Sequence, residues 1–158
     1  MRAHCNGELM RIMAVSDNDL RYCFYNYEPY SREVHLSWEM YYEKNKGRPL
    51  RPLFLKALQY ITPSANRAVD LGCGVGTEVS DLLQRGFEVH AVDQEAKSIE
   101  LVKLNSANSS KLHTHLSSLE KWTAWPCVDF LFSYHSLPFC EPNKFYTVIE
   151  KALSSLNR

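Results

Sequence analysis

The stretch that most constrains the fold is Val69-Asp70-Leu71-Gly72-Cys73-Gly74-Val75-Gly76-Thr77-Glu78. Three glycines at alternate positions follow a short apolar run and precede residues 78–85, where Val79, Leu82 and Leu83 share one helical face. A strand that turns into a helix through glycines is the context a nucleotide-type fingerprint requires. Glycine tolerates positive φ in the tight turn, and its missing Cβ lets a ligand lie against the backbone. The spacing here is G-x-G-x-G, whereas the dinucleotide fingerprint is G-x-G-x-x-G, so Thr77 stands where that pattern has glycine and an NAD-type oxidoreductase is disfavoured. Asp70, in the strand beside the turn, would repel a pyrophosphate but suits the ammonium group of an amino-acid cofactor.

The surrounding pattern gives the turn its frame. Gly86 is a suitable left-handed helix stop. Residues 87–92 read as a second strand ending at Asp93, twenty-one positions after Gly72, where a carboxylate can accept both hydroxyls of a ribose. Ala96, Ile99 and Val102 alternate with Lys97, Glu100 and Lys103 on a half-exposed helix. Residues 111–116 suggest a third strand, and residues 128–133, with Asp-Phe-Leu-Phe, a fourth that is apolar enough to be buried on both faces. Upstream, Leu50, Leu53, Phe54, Ala57, Leu58 and Ile61 form one helical stripe that Pro63 helps to end. A last helix starts near Pro142 and carries Phe145, Val148, Ile149, Ala152, Leu153 and Leu156 on one face. Alternating strands and helices predict an α/β fold with a parallel sheet and right-handed crossovers.

Composition removes several function classes. The 158 residues, 45% hydrophobic, suffice for one domain. Eighteen Lys and Arg balance eighteen Asp and Glu, so no global field draws nucleic acid or anionic lipid. The longest charge-free run, residues 130–140, is far shorter than the roughly 20 apolar residues that span a bilayer. With no signal-peptide pattern at the start, the expected location is cytoplasmic. Five cysteines, Cys5, Cys23, Cys73, Cys127 and Cys140, form neither a disulfide framework nor a zinc-gripping pair. His113 and His115 would share one strand face but lack a third ligand, so no metal site is expected. Cys73 has no base beside it in sequence and reads as a small residue tolerated near a ligand rather than a nucleophile. Residues 1–45 are set apart as an N-terminal arm or lid, irregular or partly helical, and residues 46–158 as the binding domain. Tyr22, Phe24, Tyr25, Tyr27 and Tyr30 of the arm are expected to pack.

At these residues the chain resembles the class I S-adenosylmethionine-dependent methyltransferases, over residues 38–158 and best in residues 69–78, at Asp93 and in residues 129–142. Leu137-Pro138-Phe139-Cys140 and Gly47-Arg48-Pro49 resemble the small-molecule methyltransferases of the tellurite-resistance type. The resemblance implies a Rossmann-like doubly wound parallel sheet with an N-terminal helical arm, and S-adenosyl-L-methionine as cofactor. It implies that Asp70, Gly72, Cys73, Gly74 and Gly76 line the methionine end, that Asp93 holds the ribose and that Gln94 flanks the adenine. Ser118 and Leu119 would meet the adenine ring, while Ser133 and Tyr134 would lie under the sulfonium. Among Trp38, Tyr41, Tyr42, Arg48 and Arg51, the expected contacts are Tyr42, for cation–π attraction, and Arg51, for carboxylate pairing.

Methyl transfer needs a base only for a protonated acceptor, and His135 stands beside Tyr134 as either a base or a hydrogen-bonded loop residue. Ser133-Tyr134-His135-Ser136-Leu137-Pro138 departs from the Pro-Pro-Tyr or Pro-Pro-Phe pattern of nucleobase and glutamine-amide methyltransferases, which disfavours an exocyclic-amine target and leaves oxygen, sulfur, carbon, alkylamine and metalloid acceptors open; the resemblance to the tellurite-resistance type implies a small-molecule acceptor. The family order 3-2-1-4-5-7-6 continues beyond the fourth strand, so the sheet is expected to be incomplete at the C-terminus. A truncated cofactor-binding module without transfer activity is the alternative. In either case residues 130–132 would form an open edge, to be covered by a second copy in a homodimer, by a rearranged element or by the N-terminal arm.

Overall fold

The computed structural model of the chain describes residues 12–15, 38–107 and 109–157. Its centre is a wholly parallel five-stranded sheet of β1 (Ile12–Val15), β2 (Arg67–Leu71), β3 (Glu88–Asp93), β4 (Leu112–Leu116) and β5 (Phe130–Ser133), ordered β1-β5-β2-β3-β4. The last four are the strands expected from sequence, in the expected order. Among the described residues five α-helices flank them: α1 (Trp38–Asn45), α2 (Pro52–Leu58), α3 (Thr77–Gln84), α4 (Ala96–Asn105) and α5 (Phe145–Ser155). Two 3₁₀ turns, Leu137–Phe139 and Pro142–Lys144, lead into α5.

Strand alternation divides the core into two layers. β2 turns Ala68 and β5 turns Phe130 and Phe132 toward Phe54 of α2, Leu82 of α3 and Val102 of α4. The ring of Phe54 meets Phe132 edge-on at 5.2 Å. Val69, Leu71 and Leu131 point the other way, toward Val148 and Ala152 of α5 and toward Trp122. Burial on both faces explains why β5 reads as a continuous apolar run. The chain steps from β2 through β3 to β4, then returns to the far side of β2 as β5. The gap between β2 and β5 is therefore a topological switch point, where such sheets bind ligands beyond the strand ends.

Residues 12–15 differ from the expectation of an irregular or partly helical arm. They lie parallel to β5, with Ile12 opposite Phe130 and Val15 opposite Ser133. Ile-Met-Ala-Val has no period that marks a strand. Its form depends on the row of N–H and C=O groups that the edge of β5 offers. The edge expected to be open is covered by the chain's own N-terminal segment, and a second copy pairing with β5 would have to displace β1. The arm aromatics from Tyr22 to Tyr30 lie outside the described residues. Among the described residues no helix is long and apolar enough to cross a membrane.

One carboxylate ties the lower end of the sheet together. Asp129 accepts the backbone N–H groups of Asn66 and Arg67 at 2.9 and 3.0 Å and the side-chain amide of Asn157 at 2.8 Å. Burial alone would raise its pKa, but the hydrogen bonds from Asn157, Asn66 and Arg67 outweigh it and hold the carboxyl below its ordinary value. The stabilisation is present above pH 3.8, the ordinary value, and is lost as pH falls through the depressed native pKa. Asp129→Ala should cost roughly 1–3 kcal/mol at neutral pH. The penalty should shrink in acid, as read from denaturant unfolding at both pH values; an equal penalty in acid would contradict the assignment.

Candidate functional site

The turn after β2 is built by close approach. Gly72 has φ +75°, and a Cβ there would stand 2.2 Å from the Cβ of Ser136. Ser136 Oγ donates to the Leu71 carbonyl at 2.6 Å and accepts from the Ser133 hydroxyl, also at 2.6 Å. The loop after β5 is thereby fastened to the turn after β2. Gly72 and Cys73 in turn donate to the Val92 carbonyl at 2.8 and 3.1 Å. Gly76, with φ +78° at the start of α3, leaves room for Val102, whose side chain would lie 2.8 Å from an added Cβ.

Asp93 closes the turn from β3. One carboxylate oxygen accepts the Gly74 N–H at 2.9 Å and the other accepts the Glu95 N–H at 2.9 Å. Ser117 N–H donates to the Asp93 carbonyl at 2.9 Å, which brings the loop after β4 to the same corner. Ser118 Oγ is buried there without a hydrogen-bond partner among the described residues.

Beside the turn lies a recess open to solvent, lined by Tyr41, Arg48, Arg51, Asp70, Gly72, Cys73, Glu78 and Tyr134 among others. Asp70 and Glu78 are only 3% and 2% exposed. Glu78 is forked by Arg48, with contacts of 2.8 and 2.5 Å, and also accepts the Arg51 backbone N–H at 3.2 Å. Asp70 has no such fork. Burial pushes its carboxyl well above the ordinary range, and the charge of Glu78 adds to the push while Arg48 opposes it. Arg48 Nε is itself buried and unpartnered among the described residues. Cys73 is buried beside them, and burial, with the charge of Asp70, pushes its thiol far up, so a thiolate nucleophile is disfavoured.

The structure places the sequence-selected residues as follows. Asp70, Gly72, Cys73, Arg51 and Tyr134 surround the recess, and Gly74, Asp93 and Ser118 adjoin it through the corner at the end of β3. The Arg51 guanidinium lies 4.0 Å over the Tyr134 ring instead of forking a carboxylate. Ser133 is fully buried on Ser136, Leu119 packs in the layer of Trp122, Gln94 is exposed and Gly76 faces Val102. Tyr42 is buried and its hydroxyl meets Ser98 Oγ at 3.0 Å. It is the adjacent Tyr41 that lines the recess, its hydroxyl 3.6 Å from where a Cβ on Gly74 would stand. Burial raises the Tyr41 pKa against the opposing charges of Arg51 and Arg48, so the hydroxyl stays protonated and able to donate.

Sequence reasoning named Tyr41 but chose Tyr42 over it, and missed the Arg48–Glu78 fork and the anchoring role of Ser136. Glu78 alone reads as an ordinary first-turn acid favoured by the helix dipole. Only its burial shows that it is paired.

This strand order, with a glycine turn after β2 and an acid ending β3, is the Rossmann-like fold of the class I methyltransferases. The family model of tellurite resistance protein TehB matches residues 35–157, and the chain belongs to that family. No curated protein sequence matches. TehB from Haemophilus influenzae superposes with a TM-score of 0.62 at 20% identity, covering 75% of this chain and 41% of that one. CalS10, an amino pentose methyltransferase from Micromonospora echinaspora with S-adenosylmethionine bound, gives 0.60 at 13% identity over 84% of this chain and 55% of that one. The N-methyltransferase NodS from Bradyrhizobium japonicum, in complex with S-adenosylhomocysteine, gives 0.57 at 12% identity, covering 89% of this chain and 66% of NodS. The chain thus spans less than two thirds of the length of each.

The close approach at the turn is testable. Gly72→Ala should cost about 1–3 kcal/mol for backbone strain and a further ~1–3 kcal/mol for the clash. The second part should vanish when the same change is made in a Ser136→Gly background. Equal costs in the two backgrounds, measured by denaturant unfolding, would show that Ser136 is not what the glycine makes room for.

Proposed function

We propose that the chain binds S-adenosylmethionine in the recess beyond β2 and transfers its methyl group to a small-molecule acceptor. The observation that carries this reading is the conjunction at the switch point of a bare glycine turn, the Asp93 carboxylate at its rim and the buried Asp70 behind it. The bound cofactor supplies an electrophilic methyl on a sulfonium.

The chain's own groups fit that ligand. Each oxygen of Asp93 already accepts one N–H and keeps lone-pair capacity for a ribose hydroxyl. Asp70, held by burial toward its neutral form, stands where an ammonium would favour its charged form, and the unpartnered Nε of Arg48 offers a donor for the ligand's carboxylate. The orphaned hydroxyl of Ser118 offers a hydrogen bond toward the adenine end. Backbone at Gly72 and Gly74 lets the ligand lie close.

For an in-line displacement, holding acceptor and methyl at attack distance supplies most of the acceleration. His135, exposed at φ +58° with its ring 4.3 Å from that of Tyr134, stands where it could take a proton from a protonated acceptor. The small-molecule acceptor is supported by the departure of residues 133–138 from the amide-type motif and by CalS10, whose acceptor is an amino pentose.

Calorimetric titration with S-adenosylhomocysteine should show one site. Asp93→Ala should weaken it roughly 10–100-fold with the far-UV spectrum unchanged. Binding of NAD in its place would overturn the reading, and binding without transfer to any acceptor would favour a cofactor-binding module. Affinity should also rise with pH from acid to neutral, because an ammonium ligand favours ionised Asp70 and binding expels its proton. Asp70→Asn should bind more weakly and lose that part of the pH dependence; a profile that Asp70→Asn leaves unaltered would remove Asp70 from the ligand.

A further inference from the structure

A second cluster of ligating side chains lies away from the recess, on the β3–β4 pair. The register sets His90 directly opposite His113 and Val92 opposite His115. With Glu88 two positions before His90, alternation puts Glu88, His90, His113 and His115 on one face of the sheet. The ligand atoms of Glu88, His90 and His113 all lie within 4.8 Å of one another. His113 Nε2 is 2.9 Å from Glu88 Oε1, and the rings of His90 and His113 are 4.7 Å apart. Sequence alone offered His113 and His115 without a third ligand. The neighbouring strand supplies two more.

We propose that Glu88, His90 and His113 bind one divalent transition cation of the zinc class across β3 and β4, with His115 orienting His90. Two ligand atoms about 2.0–2.1 Å from a tetrahedral zinc sit about 3.3 Å apart, so small side-chain rotations from the observed positions suffice. His90 Nδ1 lies 3.0 Å from His115 Nε2. With His90 Nδ1–H donating and His115 Nε2 accepting, the lone pair is left on His90 Nε2, the outer-shell arrangement common to metal-bound imidazoles. The His115 ring in turn rests 5.0 Å from the ring of Trp122. Two imidazoles and one carboxylate suit zinc, cobalt or nickel and disfavour magnesium or calcium, which take oxygen-rich shells.

The site is independent of the recess. His90 and Asp93 are three positions apart, so their side chains leave opposite faces of β3, and the strand separates them by about 10 Å. An ion here would cross-link the edge strand β4 to the body of the sheet.

The test is titration of the tag-free 158-residue chain with Co²⁺ and Zn²⁺ after chelator treatment, beside Cys127→Ser, since Cys127 is an exposed thiol. The expected result is one equivalent bound, a visible d–d band with Co²⁺, and a melting temperature that rises and saturates at that equivalent. His113→Ala and the near-isosteric Glu88→Gln should abolish or strongly weaken binding while keeping the metal-free circular dichroism. His115→Ala should weaken it about 10–100-fold. Undiminished binding in both His113→Ala and Glu88→Gln, a thiolate charge-transfer band lost in Cys127→Ser, preference for Mg²⁺, or no binding at millimolar Zn²⁺ would each overturn the proposal.

Discussion

The contact on which the site depends is the one between position 72 and Ser136. A side chain at 72 would drive apart the turn after β2 and the loop after β5, and these are the two segments that meet at the switch point. With glycine there, Ser136 can bond the Leu71 carbonyl, Ser133 can bond Ser136, and the ends of two strands become one wall. The corner opposite is held by Asp93, whose carboxylate grips Gly74 from the end of β3. The glycine turn is therefore fixed from both sides before any ligand arrives, and fixed donors and acceptors are what a positioning site needs.

Charge is distributed in the same spirit. Two buried carboxylates stand side by side, and a single guanidinium forks only one of them. Buried ion pairs are weak contributors to stability, because desolvation consumes the Coulombic gain. The arrangement makes more physical sense as a site than as a staple: Glu78 is neutralised by Arg48, while Asp70 is left in a position where a cationic ligand relieves its burial.

Much of this was legible in the sequence, for identifiable reasons. β2, β3 and β5 announce themselves because they are apolar or alternating, and the glycine spacing and Asp93 mark the corner that the structure joins through the Gly74–Asp93 hydrogen bond, the corner proposed to take the ligand. Three features were not legible. Tyr41 and Tyr42 are adjacent, and only the orientation of α1 decides that Tyr42 goes to Ser98 and Tyr41 to the recess. β1 has no strand pattern of its own and is defined by the edge it covers. The histidine and glutamate cluster spans two strands, so its third and fourth members appear only once the register between β3 and β4 is known.

The glycine turn and Asp93 are proposed to form one ligand corner. This is tested most directly by following backbone amide resonances of the labelled chain during titration with S-adenosylhomocysteine. Saturating shifts are expected at Gly72, Gly74, Asp93 and Ser118, with the amides of His113 and His115 unmoved. Saturable binding that leaves Gly72 and Gly74 unshifted, or no shift at any concentration, would contradict it.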